Sequence, residues 1–421
     1  MQSLKFIHTA DIHLDSPLRG LEAHDDAPLA EIRGATRRAF EALIDLAIDE
    51  AVAFILIAGD LFDGDWKDYN TGLYFAGRMG RLAKAGIKVF IIAGNHDAAS
   101  QITKTLPWPE NVFVFQARQA DSARLAELGI VIHGQSYATR AVTGNLVAQY
   151  PEREPGVFNI GLLHTSLTGR EGHEAYAPCT VAELQGKGYD YWALGHVHRR
   201  EIVASEPWIV FPGNLQGRHI KEEGSKGATL VRVEDGRVVE VQERPLDVLR
   251  WTLCRVDLSD CDSMEGVYLA VRQGFIRERD RADGRALALR LVLTGDCQVH
   301  GRLLARTAEL TAEFRGIAVG LGDIWLEQVR FATRRKAELA EYLDGDSPLA
   351  VLLKEVQRLE LGGGSLLSIV PELAVLKSKL PAEVGSDDDS FFQPSQEKLA
   401  ELTNEVRELL IARLLLQGDG L

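Results

Sequence analysis

Phe6-Ile-His-Thr-Ala-Asp-Ile-His13 is the stretch from which the rest of the chain is read. Leu4, Phe6 and Ile7 belong to a short apolar run, the pattern of a buried strand. Asp11 and His13 stand just past its C-terminal end. In an open α/β sheet, ligands collect in the crevice beyond the carboxyl ends of the strands. An Asp-x-His pair there offers a carboxylate oxygen and an imidazole nitrogen side by side. That donor set suits Zn²⁺, Mn²⁺ or Fe²⁺ better than Mg²⁺ or Ca²⁺. A strand-end aspartate can equally be a helix cap or a turn residue, so the weight falls on what recurs downstream.

The pattern does recur. A helix is predicted over 31–51, where Phe40, Leu43, Ile44 and Ala47 share a face. An apolar run over 53–58 then ends in Gly59-Asp60-Leu61-Phe62-Asp63. Asp60 could bridge two metals, because a carboxylate has two oxygens. Asp63, Asp65 and Asp68 read as solvated loop charges. After a helix over 69–85, a third apolar run over 88–93 ends in Gly94-Asn95-His96-Asp97. Successive strand–helix units imply a mostly parallel sheet whose strand tips meet at one edge. Strands are expected over 112–115 and 130–132, with His133 either structural or lining the site. A strand over 159–163 is followed by His164, and one over 189–194 by Gly195-His196-Val197-His198. Beyond a strand over 208–211, Arg218 and His219 could hold a substrate phosphate or form a surface turn. Asp235-Gly236 marks a hairpin, expected to close a second sheet against the first.

Bulk properties narrow the classes. At 421 residues, two or three domains are expected. Apolar content of 46% and charged content of 26% are those of a soluble globular chain. No apolar run is long enough to span a bilayer, and the first residues lack a signal segment; a cytoplasmic location is expected. The four cysteines form no C-x-x-C pair, against both a disulfide framework and a cysteine zinc site. A net charge of −14 disfavours a protein that coats nucleic acid. It leaves room for a nuclease, where bound cations supply positive charge locally. There is no G-x-x-x-x-G-K-[ST], so ATP dependence would have to come from a partner.

Asp11, His13, Asp60, Asn95, His164, His196 and His198 supply enough oxygen and nitrogen for two metal ions sharing the Asp60 carboxylate. Two such ions about 3.5–4 Å apart clamp a phosphoester and lower the pKa of a bridging water, giving a hydroxide nucleophile near neutral pH. His96 is then the candidate to stabilise the transition state or protonate the leaving alkoxide.

The order D-x-H, G-D-x-x-D, G-N-H-[DE], a lone H and G-H-x-H resembles the calcineurin-like metallophosphoesterase superfamily. The resemblance implies an α/β (α+β) fold, a four-layer αββα sandwich. It also implies a division of ligands: Asp11, His13, Asp60 and His198 for one metal, Asp60, Asn95, His164 and His196 for the other. The wording FIHTADIHLDSPL (6–18), GDLF (59–62) and FPGNLQGRHI (211–220) is similar to the SbcD-like double-strand-break nucleases, particularly the YhaO-type DNA repair exonucleases. That likeness covers about the first 245 residues. One position departs from it: archaeal and eukaryotic relatives carry a histidine after GDLF that assists exonuclease action, and here it is Asp63.

The expected division is a nuclease domain over 1–246, a small α/β capping domain over 247–335 and a helical partner-binding region over 336–421. In the last, Leu349, Leu352, Leu353, Val356 and Leu359 form one apolar stripe, and Leu399, Leu402, Val406, Leu409, Leu410 and Leu414 another. The resemblance implies that the capping domain guides duplex DNA and that the stripes bind the coiled coil of an SMC-like ATPase. It further implies a homodimer through helices near 69–86 and 98–106. The expectation is a DNA nuclease subunit with Mn²⁺ as its metal. Two rivals share the same residues. A small-substrate phosphodiesterase or phosphatase has no need of the accessory domain, and a scaffold anchoring an ATPase has no need of seven converging ligands.

Overall fold

Phe54-Ile-Leu-Ile-Ala58 is buried at every position, as an apolar run is when its strand is covered on both faces. The computed structural model describes residues 3–16, 18, 34–63, 69–98, 108–168, 176–335, 348–358 and 396–418. The chain divides into two units. One is Met1–Leu253 with Glu278–Leu289 and Asp323–Glu327; the other is Cys254–Arg277, Arg290–Gly322 and Gln328–Leu421.

In the first unit the chain runs β1 (Ser3–Thr9), α1 (Ala35–Asp49), β2 (Phe54–Ala58), α2 (Tyr69–Lys84), β3 (Lys88–Ile92) and β4 (Val112–Val114). It continues through β5 (Asp121–Leu125), β6 (Ile130–Gly134), β7 (Phe158–His164), α3 (Val181–Gly186), β8 (Tyr191–Gly195), β9 (Glu201–Ser205) and β10 (Trp208–Phe211). A hairpin, β11 (Gly227–Glu234) and β12 (Arg237–Pro245), closes the set. Two six-stranded sheets result, ordered β12-β11-β1-β2-β3-β4 and β5-β6-β7-β8-β10-β9. Strands β1 to β4 are parallel neighbours, so their C-terminal tips share one edge.

Alternation along the strands builds the layers. Phe6, Phe54, Leu56 and Phe90 face the second sheet and pack with Ile132, Ile160, Leu162, Tyr191 and Val210. The Phe6 and Phe54 rings stack at 5.0 Å. Ile7, Ile55, Ile57, Val89 and Ile91 point the other way, onto Phe40, Leu43 and Ile44 of α1 and Phe75, Met79 and Leu82 of α2. Each fully buried side chain of this kind stabilises the fold by about 1.5–3 kcal/mol before entropy is charged against it. On the far side, Trp192, Leu194 and Ile209 are covered by Val147, Tyr150, Cys179 and Leu184. The order is helices, sheet, sheet, then a thinner layer of one short helix and loops. Thr180 and Glu183 form a capping box that holds that short helix.

Two features depart from the sequence reading. The Asp235-Gly236 hairpin does not close the second sheet; β11 pairs antiparallel with β1, with Ile7 opposite Leu230. The reason is packing, since Val231 and Val233 are needed in the inter-sheet core beside Phe6. Strands β5 and β9 escaped notice because each is an edge strand with several partly exposed positions.

Strands β13 (Leu249–Asp257), β14 (Ala286–Cys297) and β15 (Ile324–Arg335) form a three-stranded sheet in that order. They alternate with α4 (Met264–Asp280), α5 (His300–Ala305) and α6 (Thr307–Leu321). Arg306, at φ −123° and ψ 30°, separates α5 from α6. Two further helices follow in the second unit, α7 (Pro348–Gln357) and α8 (Gln396–Gly418). Their stripes pack partly on each other through Leu353 and Ile411. Val351, Leu352, Val406 and Leu410 stay exposed. The Gly362-Gly-Gly364 break and the acidic run over 385–390 lie outside the described residues.

The sheets approach each other closely at their tips. A Cβ on Gly195, the last residue of β8, would collide with the carbonyl of Ala58, the last residue of β2. Gly195→Ala is expected to destabilise the protein by about 1–3 kcal/mol. Gly186→Ala, where an added Cβ meets nothing within 4 Å, should leave stability unchanged or raise it by up to about 1 kcal/mol. Thermal denaturation of the two variants checks the contrast; equal melting curves would contradict it.

Candidate metal centre

The loops after β1, β2 and β3 are tied together by backbone before any side chain acts. The Asp11 N–H donates to the Gly59 carbonyl at 3.0 Å, and the His13 N–H to the Asp60 carbonyl at 3.0 Å. The buried Asp97 carboxylate accepts from the N–H groups of Leu61 (3.1 Å), Phe62 (2.8 Å) and Gly94 (3.0 Å). Burial, with the Asp60 charge beside it, pushes the Asp97 carboxyl up to about 7. A Cβ on Gly94 would strike the Asp60 carboxylate, so glycine is required where the third loop passes the second. Asp11 (φ 49°), His13 (φ 45°), Asp60 (φ 50°) and His196 (φ 97°) all adopt left-handed backbone. Each costs on the order of 1 kcal/mol, and such strain persists where surrounding structure fixes it, often at functional sites.

These turns bring the predicted residues together. Asp11, His13 and His198 form one group whose ligand atoms lie within 4.8 Å of one another; Asp11, Asp60 and His164 form a second; His13, Asp60 and His96 form a third. His13 Nε2 lies 3.4 Å from His198 Nε2 and 3.9 Å from Asp60 Oδ2. His198 Nε2 is 3.8 Å from Asp11 Oδ1. His164 Nε2 is 3.5 Å from Asp60 Oδ2 and 3.0 Å from Asn95 Oδ1. His196 enters none of the three groups. Its ring lies 5.2 Å from that of His164, and its backbone N–H donates to the Asp11 carboxylate at 2.9 Å.

The donor set fits divalent cations. His164 Nδ1 faces the Ala58 carbonyl at 2.8 Å. In the neutral ring that bond leaves an Nε2 lone pair aimed at the Asp60 and Asn95 oxygens, acceptor against acceptor, unless a cation stands between. His198 is held in a similar way, its Nδ1 against Glu222 Oε1 at 2.6 Å and its Nε2 directed toward His13 Nε2. Burial and the Arg218 charge hold the His13 imidazole down to about 3, so it is neutral. Protonation offers the other way to neutralise the cluster. Burial opposes a charged His164, but Asp60 and Asp11 outweigh burial and push it up to about 9.

His96 lies beside this cluster with its backbone N–H donated to Asp60 Oδ1 at 2.9 Å. Its Nδ1 is 2.8 Å from Asp63 Oδ1. Asp63 is therefore not the solvated loop charge expected of it. It also accepts from Ser16 Oγ at 2.7 Å and lies 3.7 Å from Arg218 Nη1. Asp65 and Asp68 fall outside the described residues. Arg218 and His219 line the same cleft of about 840 Å³ as Asp60, Asn95, His96, His196 and His198. Arg140, Tyr176, Arg199, Lys221, Glu222 and Lys226 also line it, and sequence reasoning named none of them. His133 belongs elsewhere: it stacks on Tyr189 at 4.6 Å and contacts Ser122 Oγ at 2.8 Å, a structural role.

Metal binding through His164 must displace the proton that the Asp60 and Asp11 charges hold there against burial. Mn²⁺ affinity measured by calorimetry is expected to rise between pH 7 and 9, by up to about tenfold per unit, with proton release visible as a buffer-dependent heat. A flat affinity over that range would contradict this assignment.

Comparison with known proteins agrees with the geometry. The family model for calcineurin-like phosphoesterases matches residues 4–200, and that for the middle domain of metallophosphoesterase YhaO matches residues 251–334. The chain is 38% identical over 299 residues to an uncharacterized metallophosphoesterase YhaO of Bacillus subtilis (strain 168), covering 70% of this chain and 72% of that protein. It is 26% identical over 264 residues to the DNA double-strand break repair protein Mre11 of Sulfurisphaera tokodaii, covering 59% of this chain and 64% of that protein. Among the described residues, no helix is long and apolar enough to cross a membrane. The chain belongs to the calcineurin-like metallophosphoesterases of YhaO type, hydrolases of phosphoester bonds that bind paired metal ions.

Proposed function

We propose that this protein is a DNA nuclease subunit that cleaves phosphodiesters in double-strand-break repair. The observation that carries this reading is the cleft. In a chain of net charge −14, Arg140, Arg199, Arg218, Lys221 and Lys226 gather around the histidine–carboxylate cluster. Concentrated positive charge of this kind recognises a polyanionic backbone. The name of the Mre11 relative supports the same substrate.

Asp11, His13, Asp60 and His198 would hold one ion, and Asp60, Asn95, His164 and His196 the other, with Mn²⁺ the proposed metal. When bound, such a pair acidifies water at neutral pH and offsets charge on the attacking and leaving oxygens. The remaining roles fall to side chains. Asp63 fixes the His96 ring through Nδ1, leaving Nε2 as the nitrogen that can hand a proton to the leaving alkoxide. Burial works against a charged His96, but Asp63 and Asp60 outweigh it and raise its pKa. That shift favours the proton-donating form of the ring. Arg218 and His219 bind the flanking phosphate.

Residues 1–246 would carry the chemistry, 247–335 would guide duplex DNA, and 336–421 would bind an SMC-like coiled-coil ATPase. The exposed Val351, Leu352, Val406 and Leu410 offer that last region an apolar surface. A homodimer through α2, where Leu73 is exposed, and a cytoplasmic location complete the proposal. The dimer segment near 98–106 lies largely outside the described residues.

The test is Mn²⁺-dependent hydrolysis of linear duplex DNA and of bis-p-nitrophenyl phosphate by wild type and His96→Ala. Both substrates should be cut, and the variant should lose about 10²–10⁴-fold on DNA, with a smaller loss on the ester, whose p-nitrophenolate leaves with little need of a proton. Cleavage of the small ester alone, even with an ATPase partner added, would point instead to a small-substrate phosphodiesterase.

A further inference from the structure

We propose that Glu222 is a positioning residue that couples the metal centre to the substrate-binding turn, one buried carboxylate fixing both the His198 imidazole and the backbone of Arg218. This rests on the reading of His198 as a ligand and of Arg218 as a substrate group. Glu222 closes the helical turn Ile220–Glu222 and is 5% exposed. Its Oε1 lies 2.6 Å from His198 Nδ1. Its Oε2 accepts from the Arg218 backbone N–H at 2.7 Å and from Asn214 Nδ2 at 2.9 Å. Arg218 Nη2, at 3.5 Å, and His219 Nε2, at 3.4 Å, also approach Oε1.

An ionised carboxylate only accepts hydrogen bonds. The hydrogen between Glu222 and His198 is therefore on Nδ1. In the neutral ring Nε2 then keeps its lone pair, directed at His13 Nε2 and Asp11 Oδ1, at 3.4 and 3.8 Å. A carboxylate behind a ligating histidine sets ring orientation and tautomer in this way. Glu222 does more than that, because its other oxygen pins the turn bearing Arg218. The turn is anchored from behind as well: Asn214 Nδ2 donates to the Gln216 carbonyl at 2.8 Å, and Gln216 Oε1 accepts from the Val248 N–H at 2.9 Å. Displacing Glu222 would move the metal ligand and the phosphate-binding arginine together.

Glutamine is close in shape and unfit in chemistry. It has one acceptor oxygen, whereas His198 Nδ1, the Arg218 N–H and Asn214 Nδ2 all donate toward the carboxylate. Either a donor is left facing a donor, or His198 turns to the Nε2–H tautomer and loses its ligand lone pair.

The experiment compares full-length wild type, Glu222→Gln, Glu222→Asp and Arg218→Ala by Mn²⁺ calorimetry, with thermal denaturation of the metal-free proteins as a folding check and bis-p-nitrophenyl phosphate kinetics. Glu222→Gln is expected to weaken one of two Mn²⁺ sites by about 10–100-fold and to raise KM as well. Glu222→Asp should recover part of both. Arg218→Ala should raise KM without weakening Mn²⁺ binding. Equal Mn²⁺ affinities in wild type and a folded Glu222→Gln would overturn the proposal. Wild type that binds no Mn²⁺ would instead overturn the ligand reading beneath it. Should Glu222→Gln fail to fold, ¹⁵N spectra of histidine-labelled, metal-free wild type decide. The Nδ1–H tautomer of neutral His198 supports the coupling, and the Nε2–H tautomer overturns it.

Discussion

Asp11 and Asp60 are two buried carboxylates forced into one cluster, at 1% and 2% exposure. Uncompensated, such charges cost several kcal/mol each. The two respond in opposite directions. Burial raises the Asp11 carboxyl despite His198 and His164 nearby. Burial also works to raise Asp60, but His164 and His13 outweigh it and hold that carboxyl well below the usual range. Histidines surround both, and every other part of the site supplies positive charge, hydrogen bonds or geometry to this pair. A fold that keeps such a cluster carries a standing electrostatic demand for cations, met by protons on imidazoles or by metal ions.

The scaffold meets the geometric side of that demand. Parallel strands deliver their tips to one edge, and left-handed turns at Asp11, His13 and Asp60 aim the side chains inward. Cross-loop hydrogen bonds and the Asp97 clamp over-determine those turns, which is what allows strained backbone to persist. Behind them, Asp63 and Glu222 each hold a histidine by Nδ1. The two carboxylates do matching work, one on the candidate proton donor and one on a candidate ligand, and both lie close to Arg218.

The strands that carry the site were legible in the sequence because each is a short apolar run with a ligand-type polar residue at its C-terminal tip. Both long helices of the sandwich were legible through their periodic faces. The edge strands β5 and β9 were not, since half-solvated strands carry little apolar signal. The sheet that receives the hairpin was also hidden, because β11 finds β1 more than 200 residues away in the chain. The same holds at the site. Ligand-type residues announce themselves by type and position. Asp63 and Glu222 have their roles only through partners distant in sequence, 33 residues away for His96 and 24 for His198. No local pattern distinguishes them from solvated loop acids.

Asp60 is the residue that would join two metal sites into one. Mn²⁺ bound per chain, measured by equilibrium dialysis with elemental analysis, tests this in wild type and Asp60→Asn. Two ions are expected in wild type and weakened binding of both in the variant, since one carboxylate would serve each. Wild type that holds no ion, or a variant that loses one ion while binding the other as tightly as before, would contradict it.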